Sequence, residues 1–156
     1  MTSTRGDGAA RAVALLFGVG RVPRAPGTAG TAAAIPVCIA LDWLGPVVYI
    51  AATVLTVIIG TWAADRTAHG MGIHDHPSIV IDEVAGYLVA MAFVPVTPVG
   101  LAVGFAAFRL LDIAKPWPIR WFDRAVPGGI GIMLDDLLAG LGAGALSLVL
   151  LALLPV

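Results

Sequence analysis

The sequence predicts an all-α fold: a small polytopic helical bundle in a membrane, with one span broken at Pro95 and Pro98 into a helical hairpin. Three observations carry that prediction. Hydrophobic residues make up 59% of the 156 and charged residues 12%, with a mean hydropathy of +0.96, whereas soluble chains carry about a quarter charged residues. Four runs, 25–41, 43–64, 84–108 and 137–156, hold no charged side chain, and a spanning helix takes roughly 17–25 apolar residues. All nine lysines and arginines fall in the three polar segments outside those runs.

The length suits one domain over residues 1–156. Residues 1–24 read as an amphipathic or loosely ordered segment at the membrane surface. Arg5 and Arg11 precede a short apolar stretch, but Arg21 and Arg24 follow it where a signal peptide would place a small-residue cleavage site. The helix over 25–41 is expected to be short or tilted, because Pro26, Gly27 and Gly30 delay its start and Pro36 interrupts it. Cys38, the single cysteine, can form no intrachain disulfide and has no basic neighbour, so it reads as a small hydrophobe. The 43–64 run qualifies as a span, with Asp65 at its end. In the third run the prolines imply two helices, one from about Ser78 and one continuing to Lys115. Asp82 and Asp112 then lie about 20 and 21 Å from the turn at roughly 1.5 Å per residue. Antiparallel packing returns them to one level. A glycine-flexible loop over 126–136 is expected to deliver Asp135 and Asp136 to the start of the last helix, where negative charge is favoured. The small residues at 139–147 permit close packing within the chain or between copies, which leaves a homo-oligomer open.

One polar rim thus collects the acids. Asp82 and Glu83 are adjacent on a helix, about 100° apart, and reach two partners rather than one. Carboxylates near lipid must be paired, hydrated or metal-bound. Two readings stand at this point. Pairing with Arg109, Lys115 and Arg120 would make a structural cluster; a cation site is favoured by the excess of Asp75, Asp82, Glu83, Asp112, Asp123, Asp135 and Asp136 over nearby bases. Hard oxygen ligands without cysteine select Mg²⁺ or Mn²⁺ over zinc. His69, His74 and His76 match no zinc-ligand spacing, so hydrogen-bonding roles are expected, with one a candidate proton donor. The stretch 18–31, "GVGRVPRAPGTAGT", reads equally as an anion cradle ahead of a helix or as a flexible turn. It lacks the Lys-Ser/Thr ending of a nucleotide-binding P-loop. Neither C-x₅-R, D-x-D, H-E-x-x-H nor G-x-S-x-G occurs. A net charge of −1 with no basic cluster argues against a nucleic-acid partner. Residue chemistry alone arrives at a membrane-embedded, metal-dependent protein acting on something anionic.

Four blocks add to this: "PRAPGTAGT", "HDHPSIVIDEVAG", "FRLLDIAKPWPIRWFDR" and "GGIGIMLDDLLAG", in that order over residues 18–140. Together they resemble the phosphatidylglycerophosphatase A family of bacterial lipid phosphatases, the third block being the most diagnostic. The resemblance implies Mg²⁺-dependent hydrolysis of the terminal phosphomonoester of phosphatidylglycerophosphate to phosphatidylglycerol and phosphate, in glycerophospholipid biosynthesis. It places the chain as a multi-pass protein of the bacterial inner membrane, and the distribution of bases puts the charged face in the cytoplasm. On this reading Asp82, Glu83, Asp112, Lys115 and Arg109 are catalytic, and Asp82, Glu83, Asp112, Asp135 and Asp136 hold the metal. Arg24, Gly27, Thr28, Thr31, His74, Asp75 and Arg120 contact substrate. Rival readings are an ion-coupled transporter and a non-catalytic membrane protein with a structural polar cluster. The acids' position at one rim and the absence of a repeat weigh against transport. A CDP-alcohol phosphotransferase would need D-x₂-D-G-x₂-A-R, which is absent.

Overall fold

The computed structural model describes residues 5–73 and 76–154, the side chains of residues 5, 6, 123 and 124 excepted. The chain runs α1 (Arg5–Ala14), a 3₁₀ segment (Leu16–Arg21), α2 (Pro26–Trp43), α3 (Pro46–Met71), α4 (Ile81–Met91), α5 (Pro98–Ala114), α6 (Ile119–Ala125) and α7 (Gly128–Leu153). No strand occurs among the described residues. The protein is a small helical membrane protein. α3 and α7 are long and apolar enough to cross a bilayer, each about 39 Å at 1.5 Å per residue. α3 keeps Val47, Ile50, Val54, Leu55 and Ile58 exposed, a patch that water would not tolerate but lipid does.

Helix starts follow proline chemistry. Pro26, Pro46 and Pro98 each sit in the first turn, where the missing N–H is no loss and φ is already helical. Thr97 caps α5, its hydroxyl accepting from Gly100 N–H at 3.0 Å. Pro36 lies inside α2 without ending it, so that helix runs further than the sequence suggests.

α4 sits at the centre, packed by α2, α3, α5 and α7. Nine of its eleven residues are buried. It is too short to span, about 17 Å, and starts at Ile81 rather than near Ser78. The preceding Ile79 and Val80 are buried, and Val80 N–H donates to Ala14 O at 2.9 Å, tying this connector to α1. α4 and α5 form the expected antiparallel hairpin: Tyr87 donates to Leu101 O at 3.2 Å and stacks edge-on against Phe105 and Phe108.

Two expectations about helix ends are corrected. Asp65 does not end its helix, since α3 continues to Met71. Asp135 and Asp136 do not open α7, which begins at Gly128. The glycines that suggested a flexible loop are inside the helix, and their reason is proximity. A Cβ on Gly129 would stand 2.2 Å from Thr61 O, so glycine lets α7 touch α3. There Asp65 Oδ1 accepts Gly129 N–H at 2.9 Å, filling one of the four donors a helix start leaves open.

A second close crossing is between α4 and α7. A Cβ on Gly140 would lie 2.3 Å from Gly86 O, and one on Gly86 would lie 2.6 Å from Asp136 O. Ala139, Gly140, Ala143, Gly144 and Ser147 are all buried, so the small residues of α7 serve packing within the chain.

Candidate functional site

Asp82 and Gly86 share one face of α4, as Asp136 and Gly140 do on α7, because side chains four apart align. The glycine crossing one turn away therefore presses the two aspartates together. Glu83, next to Asp82, completes the group: Asp82, Glu83 and Asp136 each offer a carboxylate oxygen, and these lie within 4.8 Å of one another. Asp82 also accepts Glu83 N–H at 3.1 Å through Oδ1, an N-terminal contact that fixes its rotamer.

The hairpin brings α5 to the same place. Arg109 Nη1 stands 2.5 Å from Asp112 Oδ2 and 3.8 Å from Glu83 Oε1, so a single guanidinium ties the two arms at one level. It also approaches Thr31 Oγ1 at 3.5 Å, and Thr31 in turn donates to Gly27 O at 2.9 Å. Lys115, at the left-handed C-cap of α5, reaches Asp135 Oδ2 at 2.5 Å.

These side chains line one open cavity of about 360 Å³ together with Ala25, Pro26, Gly27, Pro77, Ile79 and Ile113. Five carboxylates face two cations there. Three acids this close repel unless a cation joins them or one of them takes up a proton. Two buried atoms mark the imbalance: Glu83 Oε2 and Arg109 Nε have no hydrogen-bond partner among the described residues. The donor set is hard oxygen throughout, suited to an Mg²⁺-type ion.

The start of α2 borders the acids. A Cβ on Gly27 would come 2.1 Å from Glu83 Oε1 and 3.1 Å from Arg109 Nη1, so only glycine admits this approach. First-turn amides of a helix have no internal acceptor; Pro26 has no N–H to offer, but Gly27 lines the cavity, a position that favours an anion. Of the two readings of the glycine-rich stretch, the anion cradle suits Gly27, while Gly18 and Gly20 belong to the 3₁₀ segment.

The structure thus gathers Asp82, Glu83, Asp112, Asp135, Asp136, Arg109, Lys115 and Gly27 at one cleft, with Thr31 buried just behind. It does not bring every candidate there. Arg24 is exposed and Thr28 half-buried, and neither lines the cavity. Arg120 donates to Ala114 O at 3.2 Å and sits in a separate groove with Pro116, Trp117 and Trp121. His74 and Asp75 lie outside the described residues, as does the side chain of Asp123. His76 accepts Ser78 N–H at 3.1 Å through Nδ1, and His69 Nδ1 lies 2.8 Å from Asp65 O, so both make local hydrogen bonds. Sequence reasoning missed Ile113, 71% exposed beside Asp112 at the cleft wall. Its one signal was an isoleucine between acid and base in "DIAK".

The family model described as Phosphatidylglycerophosphatase A matches residues 12–151, reaching further at both ends than the four sequence blocks. The Phosphatidylglycerophosphatase A of Escherichia coli is 46% identical over 136 residues, covering 86% of this chain and 79% of that protein. The Haemophilus influenzae protein of the same name is 41% identical over 133 residues, covering 84% and 82%. A Bacteroides thetaiotaomicron protein whose given name proposes a phosphatidylinositol-3-phosphatase is 37% identical over 132 residues, covering 80% and 82%. No solved structure matches the chain. With most of its length matched by the family model and by two relatives of that name, the chain belongs to the phosphatidylglycerophosphatase A family.

Proposed function

We propose that this chain hydrolyses the terminal phosphomonoester of phosphatidylglycerophosphate, releasing phosphate and leaving phosphatidylglycerol, at the cytoplasmic face of a bacterial inner membrane and with Mg²⁺. Family membership supports the phosphatase reaction and its lipid substrate. The observation that carries the metal-dependent reading is the trio Asp82, Glu83 and Asp136, with oxygens within 4.8 Å of one another in an open cavity at the end of an apolar bundle.

In this reading Asp82, Glu83 and Asp136 hold the ion. Bound there, Mg²⁺ supplies charge neutralisation for the phosphoryl oxygens and acidifies a water molecule. The chain's own groups do the rest. Arg109, anchored by Asp112, and Lys115, anchored by Asp135, face the dianionic monoester with donors already oriented. Such preorganised charge counts most in the transition state. The attacking water gives its proton to a carboxylate of the cluster, the phosphorus–oxygen bond to the glycerol breaks, and that oxygen is protonated as phosphate leaves. Amides at the start of α2 hold a further headgroup oxygen. The acyl chains stay in lipid beside α5, where Leu110 and Ile113 are exposed. Asp82, Glu83, Asp112, Asp135 and Asp136 gather at one end, and only Asp42 among acids lines the cavity at the other, beside Pro46, Phe93 and Pro95, which disfavours the transporter reading.

The test is phosphate release from phosphatidylglycerophosphate in mixed micelles. Activity is expected, lost with EDTA and restored by excess Mg²⁺. Undiminished release in EDTA would remove the metal from the scheme, and release from phosphatidylinositol 3-phosphate alone would replace the substrate.

A further inference from the structure

The link between α1 and α2 is built against backbone preference. Leu16 and Phe17 both sit in the left-handed region, at φ 47° and 53°, a conformation that costs an L-residue about 1–2 kcal/mol. The kink is firmly held. Leu15 O accepts from Gly18 and Gly20 N–H at 3.0 Å each, Leu15 is buried, and a Cβ on Gly20 would stand 2.0 Å from Ser78 O. The result is that Phe17 is thrust outward, 84% exposed. Arg11 and Arg21 flank it and line with it one groove of about 380 Å³. Neither arginine has a carboxylate partner among the described residues. Ser78 lies four residues before Asp82, so the groove is at the cleft end of the molecule. Strain held in place at a surface is an observation that points toward function, and an exposed ring between two guanidinium groups is the chemistry of a membrane interface.

We propose that the groove of Arg11, Phe17 and Arg21 is a second lipid site, separate from the cleft, that binds the headgroup of an anionic phospholipid in the surrounding leaflet. The two guanidinium groups meet the net negative headgroup, phosphodiester plus carboxylate in phosphatidylserine, whereas the choline ammonium of phosphatidylcholine cancels the charge they would meet; Phe17 lies against the glycerol and first methylenes. Lipid is the occupant because a free phosphate would leave the exposed ring in water. The inference rests on the reading that the cleft end lies at headgroup level, but its test does not depend on turnover.

The experiment measures the unfolding midpoint of the detergent-purified full chain with dioctanoyl-phosphatidylserine, dioctanoyl-phosphatidylcholine or inorganic phosphate. Phosphatidylserine carries no monoester, so it is not a substrate for the proposed hydrolysis. It is expected to raise the midpoint by about 5–10 °C, the shift for ligand near a hundredfold above Kd, with little effect from the other two. R11Q/R21Q abolishes that shift, F17S at least halves it, and D82N/E83Q retains it. Equal stabilisation by phosphatidylcholine or inorganic phosphate overturns the proposal. So does a phosphatidylserine shift that survives R11Q/R21Q, or one lost in D82N/E83Q. Failure of phosphate release with the shift intact overturns the proposed function and leaves this site standing.

Discussion

Glu83 is hemmed in on two sides: Asp82 and Asp136 crowd it on one, Arg109 and the α2 backbone on the other. Two predictions belong at this scale. Asp82→Asn, Glu83→Gln or Asp136→Asn, each removing a proposed ligand of the ion that stabilises the transition state, is expected to lower kcat about a hundred- to thousandfold, while the protein stays folded. Asp136→Asn also separates metal binding from packing. Without a cation the carboxylate only adds repulsion, so in EDTA the substitution is expected to raise the melting temperature by about 2–4 °C, roughly 1 kcal/mol for a chain this size. In excess Mg²⁺ the order reverses, because the wild type alone keeps the full ligand set; a midpoint unaltered by Mg²⁺ in both would refute an ion at Asp136. Asp82, Glu83 and Asp112 were legible in the sequence because distance from a proline turn sets their level. The pairing of Lys115 with Asp135 was not, since the sequence offered Asp135 several bases and only the left-handed turn at Lys115 chooses one.

At the scale of elements, the α4–α7 crossing positions the acids. Gly140→Ala puts a methyl group 2.3 Å from Gly86 O, and backbone cannot yield as a flexible side chain does. Overpacking of this kind costs about 1–3 kcal/mol, and it spreads Asp82 from Asp136 one turn away. The expected outcome is a rise in the Mg²⁺ concentration for half-maximal activity of tenfold or more, checked by metal titration of the purified variant. Asp65→Ala tests the other contact of α7. Loss of that cap is expected to lower stability by about 1 kcal/mol with kcat within twofold, because Asp65 does not line the cleft. A large loss of kcat at unchanged stability would instead bring Asp65 into the site. The hairpin was readable from Pro95 and Pro98, and the apolar runs from composition. The true starts of α4 and α7 were not. Glycine has two uses, freedom of the backbone and close approach, and 128–131 reads as the first unless Thr61 and Asp65, more than sixty residues away, are known to lie against it.

The whole molecule is polarised along its length. Asp82, Glu83, Asp112, Asp135 and Asp136, the two guanidinium–aromatic grooves and the described basic residues sit toward the cleft. The other end closes with the α2–α3 and α4–α5 turns around a mostly apolar cavity lined by Asp42, Pro46, Tyr49 and Phe93, and among the described residues that end has no lysine or arginine. Trp43 and Leu44 are exposed at that end, and Trp117 at the cleft end, as aromatic side chains at two membrane interfaces would be. By the excess of bases in cytoplasmic segments of membrane proteins, the cleft end is expected in the cytoplasm. The single cysteine makes this testable. Cys38 is fully buried, 3.6 Å from Tyr49 Oη, and burial keeps it from aqueous thiol reagents. In otherwise native chain, Leu44→Cys is expected to react with a membrane-impermeant maleimide in intact cells with a permeable outer membrane. Trp117→Cys should react only after the inner membrane is opened. Labelling of Trp117→Cys from outside, with Leu44→Cys protected, would put the cleft on the other face and require its phosphorylated lipid to be supplied there rather than from the cytoplasmic leaflet.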